Sequence, residues 1–290
     1  MNDLQNILNI QEFATLPQVT TKVLQYIERE DFNFKDLAKL IEADPALSIK
    51  LIKVANSPMF ATRAEIDSIQ QAVQILGMNR VANLVLAVSI FSKFVILENS
   101  KLVDYVNQFW WHSSCTGIVA KSISKKLGLN FNEKEFILGL LHDIGKLAML
   151  QYKSDEYIKV IELIEFDFEK PLIANMKFFD CNHIEVTHAI LEKWNMPKDF
   201  IRIISRDFTK CKDDNEKNIL AVVFLANVFC EIWGSGFYGG IKEVDIQKET
   251  YWQVLKSLNP RLESFDLELF TIELEEEFKN TKNFLELLKS

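Results

Sequence analysis

Apolar residues recur along the chain at three- and four-residue intervals, the period of helices that bury one face, and no stretch shows a convincing strand alternation. Pro17 follows Leu16 and opens a first predicted helix, with Val19, Val23, Leu24 and Ile27 on one side; a short second one covers 34–42. Asp44 followed by Pro45 predicts a firm helix start. The carboxylate accepts orphan amide hydrogens at the N-cap, and proline has its φ preset at the first helical position. That helix carries Leu47, Leu51, Ile52, Val54 and Ala55 and ends at Asn56-Ser57-Pro58. Ser68 begins the next, which Gly77 closes in the left-handed position. The longest apolar run, 81–97, is broken by Asn83, Ser89, Ser92 and Lys93, so it reads as a buried helix and not as a membrane span. Residues 13–100 are thus expected to make a compact helical lobe, after a polar lead-in over 1–12 whose order the pattern leaves open.

A second lobe is expected from 101. A long helix with Phe109, Ile118, Val119 and Ile123 runs to Gly128, a C-cap, and contains Trp110, Trp111 and His112. Over 136–150 a single helix is expected, with Phe136, Leu140, Ile144 and Leu147 on one face and a capping box of Asn132 and Glu135 at its start. Residues 155–168 look amphipathic. Asn182 and Glu185 form another capping box for a helix through His183, His188 and Trp194 that Pro197 stops. An apolar helix over 217–232 follows the charged loop 210–217. The glycine-rich stretch 234–240 lacks the GK[ST] ending and the GxGxxG spacing of phosphate loops and is read as a flexible connection. Two helical segments separated by Asn259-Pro260 end the chain, the last acidic over 273–277 with Phe278, Phe284 and Leu287 on its apolar side. The expected fold class is all-α.

Composition sharpens this. With 290 residues and 48% hydrophobic content the chain can bury a large core, and only 9 Gly and 6 Pro fit mostly helix with short connections. A net charge of -8 disfavours nucleic acid or an anionic membrane as partner, since both call for a positive surface. Cys115, Cys181, Cys211 and Cys230 show no CxxC spacing and are expected as core residues in a reducing compartment. The first ten residues lack the basic n-region of a signal peptide, so the expected location is cytoplasmic.

One stretch, FILGLLHDIGKLAML, places adjacent His142 and Asp143 in an otherwise apolar helix, within a polar and small arc of Glu135, Gly139, His142, Asp143 and Lys146. Imidazole and carboxylate together suit a divalent cation, and Lys146 one turn on could hold a phosphate. The same arc could be the solvated stripe of an amphipathic helix. Spacing alone favours the stripe, because adjacent helical residues point about 100° apart and need other helices to make a site. His183 and His188, five apart, lie about 140° around a helix and cannot chelate jointly. Trp110, Trp111 and Trp194 read as core anchors, and Cys115 shares a side with His112 only through the helix period.

LLHDIGKLAML resembles the His-Asp signature of the HD superfamily of metal-dependent phosphohydrolases, and its setting resembles one branch of it, the HDOD domain. The blocks LPQVTTKVLQYI, LIEADPALSIKLIKVANSPMF and SIQQAVQILGMNRVANLVLA agree in order, as do FWWHSSCTGIVAKSIS and NHIEVTHAILEKWNMP. The resemblance covers about 13–210 and implies a helical N-terminal lobe over 13–100, an HD-like lobe from 101 whose helices continue to about 232, and a C-terminal helical extension over 233–290. It further implies that His112, His142 and Asp143 are metal ligands, or what remains of them, and that His183 is a family-typical histidine. The last aspartate of the HD ligand set is expected in a Leu-Ala-Asp segment, where this chain reads Leu225-Ala226-Asn227. A neutral amide binds a hard cation more weakly than a carboxylate, so the site reads as degraded. The GYP motif and the His-His pair of the cyclic-dinucleotide phosphodiesterase branch are also missing; the corresponding stretch is Ile204-Ser205-Arg206-Asp207-Phe208. The resemblance therefore implies a non-catalytic bacterial signal-transduction or regulatory module that binds a signalling protein or small signal. No cofactor is expected beyond a weakly or adventitiously bound divalent metal. His112, His142 and Asp143 should meet in space in a metal-free network completed by Lys146, with His183 near. The alternative is a metal-dependent phosphohydrolase with a reduced ligand set.

Overall fold

The computed structural model describes residues 2–10, 17–27, 33–56, 65–94, 102–166, 170–237 and 244–279, and among these it contains helices and no strand. The all-α expectation holds. The first six helices are α1 (Asp3–Leu8), α2 (Gln18–Ile27), α3 (Phe34–Glu42), α4 (Pro45–Ala55), α5 (Ile69–Leu76) and α6 (Met78–Phe94). Their starts follow the expected chemistry: the Asp44 side chain accepts from the Leu47 amide with Pro45 behind it, and the Ser68 hydroxyl accepts from Gln71. Gly77 ends α5 at φ 86° but with ψ 157°, so it turns the chain out into an extended step and not into a left-handed helical cap. Helices α2, α4 and α5 pack on α6. Asn56 ties the end of α4 to Ile66 by an amide pair, donating to Ile66 O at 2.7 Å and accepting from its N–H at 2.7 Å.

The next helices are α7 (Val103–Lys126), α8 (Lys134–Leu141), α9 (Ile144–Tyr152), α10 (Ser154–Glu165), α11 (Pro171–Phe178), α12 (His183–Lys193), α13 (Lys198–Ile204) and α14 (Asp214–Ile232). Helix α7 ends in a Schellman motif: Gly128 at φ 61° lets Leu129 N–H reach Ser124 O at 2.8 Å. Helices α7 and α8 cross in backbone contact at two glycines. A Cβ on Gly139 would sit 2.5 Å from Gly117 Cα, so neither position has room for one. Helix α6 lies on α8, and Leu86 and Ile90 line one small cavity together with Trp110, Ile137 and Leu140, so the long apolar stretch is a buried helix where it is described. The last helices, α15 (Thr250–Leu258) and α16 (Leu267–Lys279), are separated at Asn259-Pro260 as read, and pack on α14 and α7. None of the helices among the described residues is long and apolar enough to cross a membrane.

Four further outcomes differ from, or go beyond, what the sequence pattern indicates. The polar lead-in contains helix α1, docked on α9 and α12: Ile7 is buried, Asp3 pairs with Lys153 at 2.7 Å, and Asp3 N–H donates to Asp180 at 2.9 Å. Second, Asn132 and Glu135 form no capping box, because Asn132 and Glu133 both take left-handed φ (55° and 68°) and the helix begins at Lys134 with no side-chain cap. Third, 136–150 is two helices: the chain breaks at His142-Asp143, where Asp143 has φ −123° and ψ 16°. Fourth, Cys211 is only half-buried, whereas Cys115, Cys181 and Cys230 are in the core. The second capping box is present: Asn182 accepts from the Glu185 amide and the Glu185 carboxylate from that of Asn182. Phe284, Leu287 and the helix end beyond 94 lie outside the described residues.

Candidate functional site

The break between α8 and α9 makes the site possible. In an unbroken helix His142 and Asp143 would diverge, but with Asp143 outside helical geometry both aim at the same buried point. Gly145 sets the depth: a Cβ there would lie 2.2 Å from His183 O and 2.8 Å from Thr187 N, so α9 can press onto the start of α12 only without a side chain. The Thr187 hydroxyl then accepts the Gly145 N–H at 2.9 Å and donates to His183 O at 2.8 Å.

His112, His142 and Asp143 come together as expected, all buried, with ligand atoms within 4.8 Å of one another. The imidazole Nε2 atoms of His112 and His142 are 3.2 Å apart, and Asp143 Oδ2 lies 3.3 Å from the His142 one and 3.9 Å from the His112 one. Each ring is fixed from behind. His112 Nδ1 donates to Ser235 O at 2.9 Å and His142 Nδ1 to Gly139 O at 2.8 Å, since a carbonyl can only accept. Both Nε2 atoms therefore face the centre. Burial pushes the His112 pKa down to about 3, so that ring is neutral. His142 Nε2 lies 3.2 Å from His112 Nε2, 3.3 Å from Asp143 Oδ2 and 2.9 Å from Asn227 Oδ1.

Asp143 is the hub of the charges. Lys146 Nζ holds Oδ2 at 2.5 Å, and Arg206 Nη2 holds Oδ1 at 2.5 Å. Burial works to raise the Asp143 pKa, but His142, Lys146 and Arg206 outweigh it and keep the carboxyl well below the usual range. His183 lies 3.9 Å from Oδ1, with Nδ1 donating to Asn175 Oδ1 at 2.7 Å, and burial lowers its pKa well below the ordinary histidine value. His188 points outward to Glu192 at 3.5 Å and takes no part. Asn227 stands at the site as its sequence position implied, donating to Glu231 Oε1 at 3.1 Å; burial raises the Glu231 pKa.

Three participants were not anticipated. In the sequence Arg206 stands out only as part of a stretch that departs from a motif; it sits at φ 56° and lays its guanidinium 4.6 Å over the Phe224 ring. Ser235 lies in the glycine-rich stretch read as flexible, yet it is buried, accepts from His112 through its carbonyl and from Trp111 Nε1 at 2.9 Å through its hydroxyl. Glu231 is one turn beyond Asn227, an i,i+4 spacing that could have flagged it. Trp110 and Trp194 are core residues as read, whereas Trp111 is partly exposed at this hydrogen bond.

An all-helical surround with His-Asp at a helix break and a histidine from the preceding helix is the arrangement that the HD resemblance implies, with an amide from α14 in place of its last carboxylate. The HDOD domain model matches residues 13–208, and the chain belongs to the HDOD family. Among solved structures it is similar to an HDOD domain protein from Geobacter sulfurreducens, with a TM-score of 0.72 at 21% identity over 94% of this chain and 97% of that one. It is also similar to a protein provisionally named a phosphohydrolase from Shewanella amazonensis SB2B, at TM-score 0.68 and 19% identity over 99% and 96% of the two chains. A third likeness is to a protein provisionally named for signal transduction from Marinobacter aquaeolei VT8, at TM-score 0.65 and 19% identity over 94% and 58%. An uncharacterized protein of Treponema pallidum (strain Nichols) is 28% identical over 193 residues, which is 65% of this chain and 37% of that relative. The chain thus spans little more than a third of that relative's length.

The metal of HD-type sites can be tested against this donor set. The oxygens of Asp143 are taken by a guanidinium and an ammonium, and the neutral Asn227 stands where the last carboxylate belongs. A hard dication at Asp143 would sit beside two fixed positive charges, each repelling it by several kcal/mol at 4 Å and an effective dielectric near 20. The residues do not fit such an ion in this arrangement.

Proposed function

We propose that this chain is a non-catalytic signal-transduction or regulatory module of the HDOD type, working in the cytoplasm by binding a signalling protein or a small signal. The observation that carries this reading is the double ion pairing of Asp143 by Lys146 and Arg206, which sets a fixed positive charge against each carboxylate oxygen and so disfavours a metal cation there. The net charge of -8 supports a partner other than nucleic acid or an anionic membrane. In this reading 13–100 and the lobe from 101 are the regulatory unit and 233–290 an extension that braces it.

A metal-dependent phosphohydrolase with a reduced ligand set is the second reading. It is favoured by the convergence of the His112 and His142 Nε2 atoms on Asp143. Hydrolysis of a generic phosphodiester and of a cyclic dinucleotide, with Mn2+, Mg2+ or Ni2+ supplied, separates the two. The regulatory reading expects no turnover above that of Asp143→Ala; metal-dependent turnover lost in Asp143→Ala would select the hydrolase.

A further inference from the structure

Two helices are apolar on both sides. In α11 the residues Ala174 and Asn175 are buried, whereas Leu172, Ile173 and Met176, roughly 150° around the helix from them, are 42% to 53% exposed. In α16 the buried pair is Phe270 and Leu274, and Leu269 and Ile272 on the far side are 51% and 50% exposed. The inner faces hold the helices on the fold; the outer ones touch nothing that folding supplies. These five side chains are more than half of the nine large hydrophobic ones exposed among the described residues, so the apolar surface is gathered into two patches and not scattered singly.

The two patches carry opposite charge. From Lys170 to Phe179 the chain has exposed lysines at 170 and 177 and no acidic residue. On α16 exposed Glu268 and Glu276 bracket the outer pair, and Glu273 and Glu277 reach the other way to Lys126. At 1.5 Å per residue the lysines stand about 11 Å apart along the chain and the glutamates about 12 Å. Helix α11 packs on α10 and α16 on α7, and both outer faces are open in one chain, so neither covers the other.

We propose that the α11 face of one copy of this chain docks on the α16 face of a second copy, the lysines of one meeting the glutamates of the other around the packed apolar side chains. Charge decides between this and pairing of like faces: α11 on α11 would set lysines against lysines, and α16 on α16 glutamates against glutamates. A head-to-tail contact has no twofold axis, so copies add into a ring or an open chain. Two short helix faces make an interface at the small end, below about 1,200 Å², so assembly depends on concentration. The contact uses no residue of the Asp143 network.

The test is the mass of the full chain by light scattering and sedimentation velocity, from micromolar protein to about 1 mM. Wild type should pass the mass of a dimer as concentration rises. Met176→Glu would face the glutamates of α16, and Ile272→Lys the lysines of α11; each variant alone should stay monomeric, its association weakened roughly tenfold or more. Mixed, the two should form a one-to-one pair and nothing larger, because the intact α11 of the Ile272→Lys copy meets the intact α16 of the Met176→Glu copy. If either variant does not fold, Ile173→Glu or Leu269→Lys takes its place. A wild type that stays monomeric throughout overturns the proposal. So does association that survives in Ile272→Lys, which would mean that like faces pair, or a mixture that remains monomeric.

Discussion

Arg206 Nη2 meets Asp143 Oδ1 at 2.5 Å across 63 residues of sequence, tying the end of the α12–α13 pair to the break between α8 and α9. The carboxylate is 1% exposed, and its second oxygen is held by Lys146. The group that an HD-type hydrolase would give to a metal is here the centre of an ion-pair network.

Removing that centre strands two cations and a histidine. Asp143→Ala is expected to lower stability by about 3 kcal/mol, the usual cost of breaking a buried pair by deleting one partner. Urea unfolding followed by circular dichroism measures it. A variant as stable as wild type would mean that Lys146 and Arg206 are equally well served by water.

Glu135 gives a pH dependence of known sign. It is 4% exposed, its Oε2 has no hydrogen-bond partner, and burial pushes its pKa up to about 7. Its folded pKa lies above the unfolded value, so between about 4.3 and about 7 the folded state binds more protons and this group's contribution to stability falls as pH rises. Glu135→Gln cannot ionise. Relative to wild type it should gain on the order of 2–3 kcal/mol between pH 4 and pH 8. Denaturant midpoints of the two proteins at both pH values decide it: a constant difference contradicts the assignment.

Gly145→Ala would drive a methyl group to 2.2 Å from His183 O. Overpacking of this kind costs about 1–3 kcal/mol and here must also push α12 from α9, moving His183 away from Asp143. The expected readouts are a lower thermal midpoint and shifted His183 ring signals in NMR spectra. Unchanged ring signals would show that the gap between α9 and α12 is wider than described.

Much of this was legible in the chain. Asp44-Pro45, Ser68 and the Asn182–Glu185 box could be read because caps are local chemistry, and the His112, His142 and Asp143 cluster because several blocks of a known family stand in order. What could not be read was set by tertiary contact. The His142-Asp143 break is invisible to periodicity, since the apolar positions on either side continue the helical spacing. Arg206 matters through a left-handed residue and a partner far away in sequence, neither of which has a local signature. Ser235 was hidden in a glycine-rich segment whose composition suggests freedom, although its first residues are pinned by His112 and Trp111. Helix α1 was missed for a different reason: Leu4, Ile7 and Leu8 carry the right spacing, but six residues are too few to stand out from polar neighbours.

The most direct test of the ion-pair hub is a double-mutant cycle between Asp143 and Arg206, using Asp143→Asn, Arg206→Asn and the double variant in urea unfolding. A coupling energy of about 2 kcal/mol is predicted, with the double variant much less destabilised than the sum of the singles. Additivity within about 0.5 kcal/mol would contradict the account, because Asp143 would then be free of Arg206 and open to a metal.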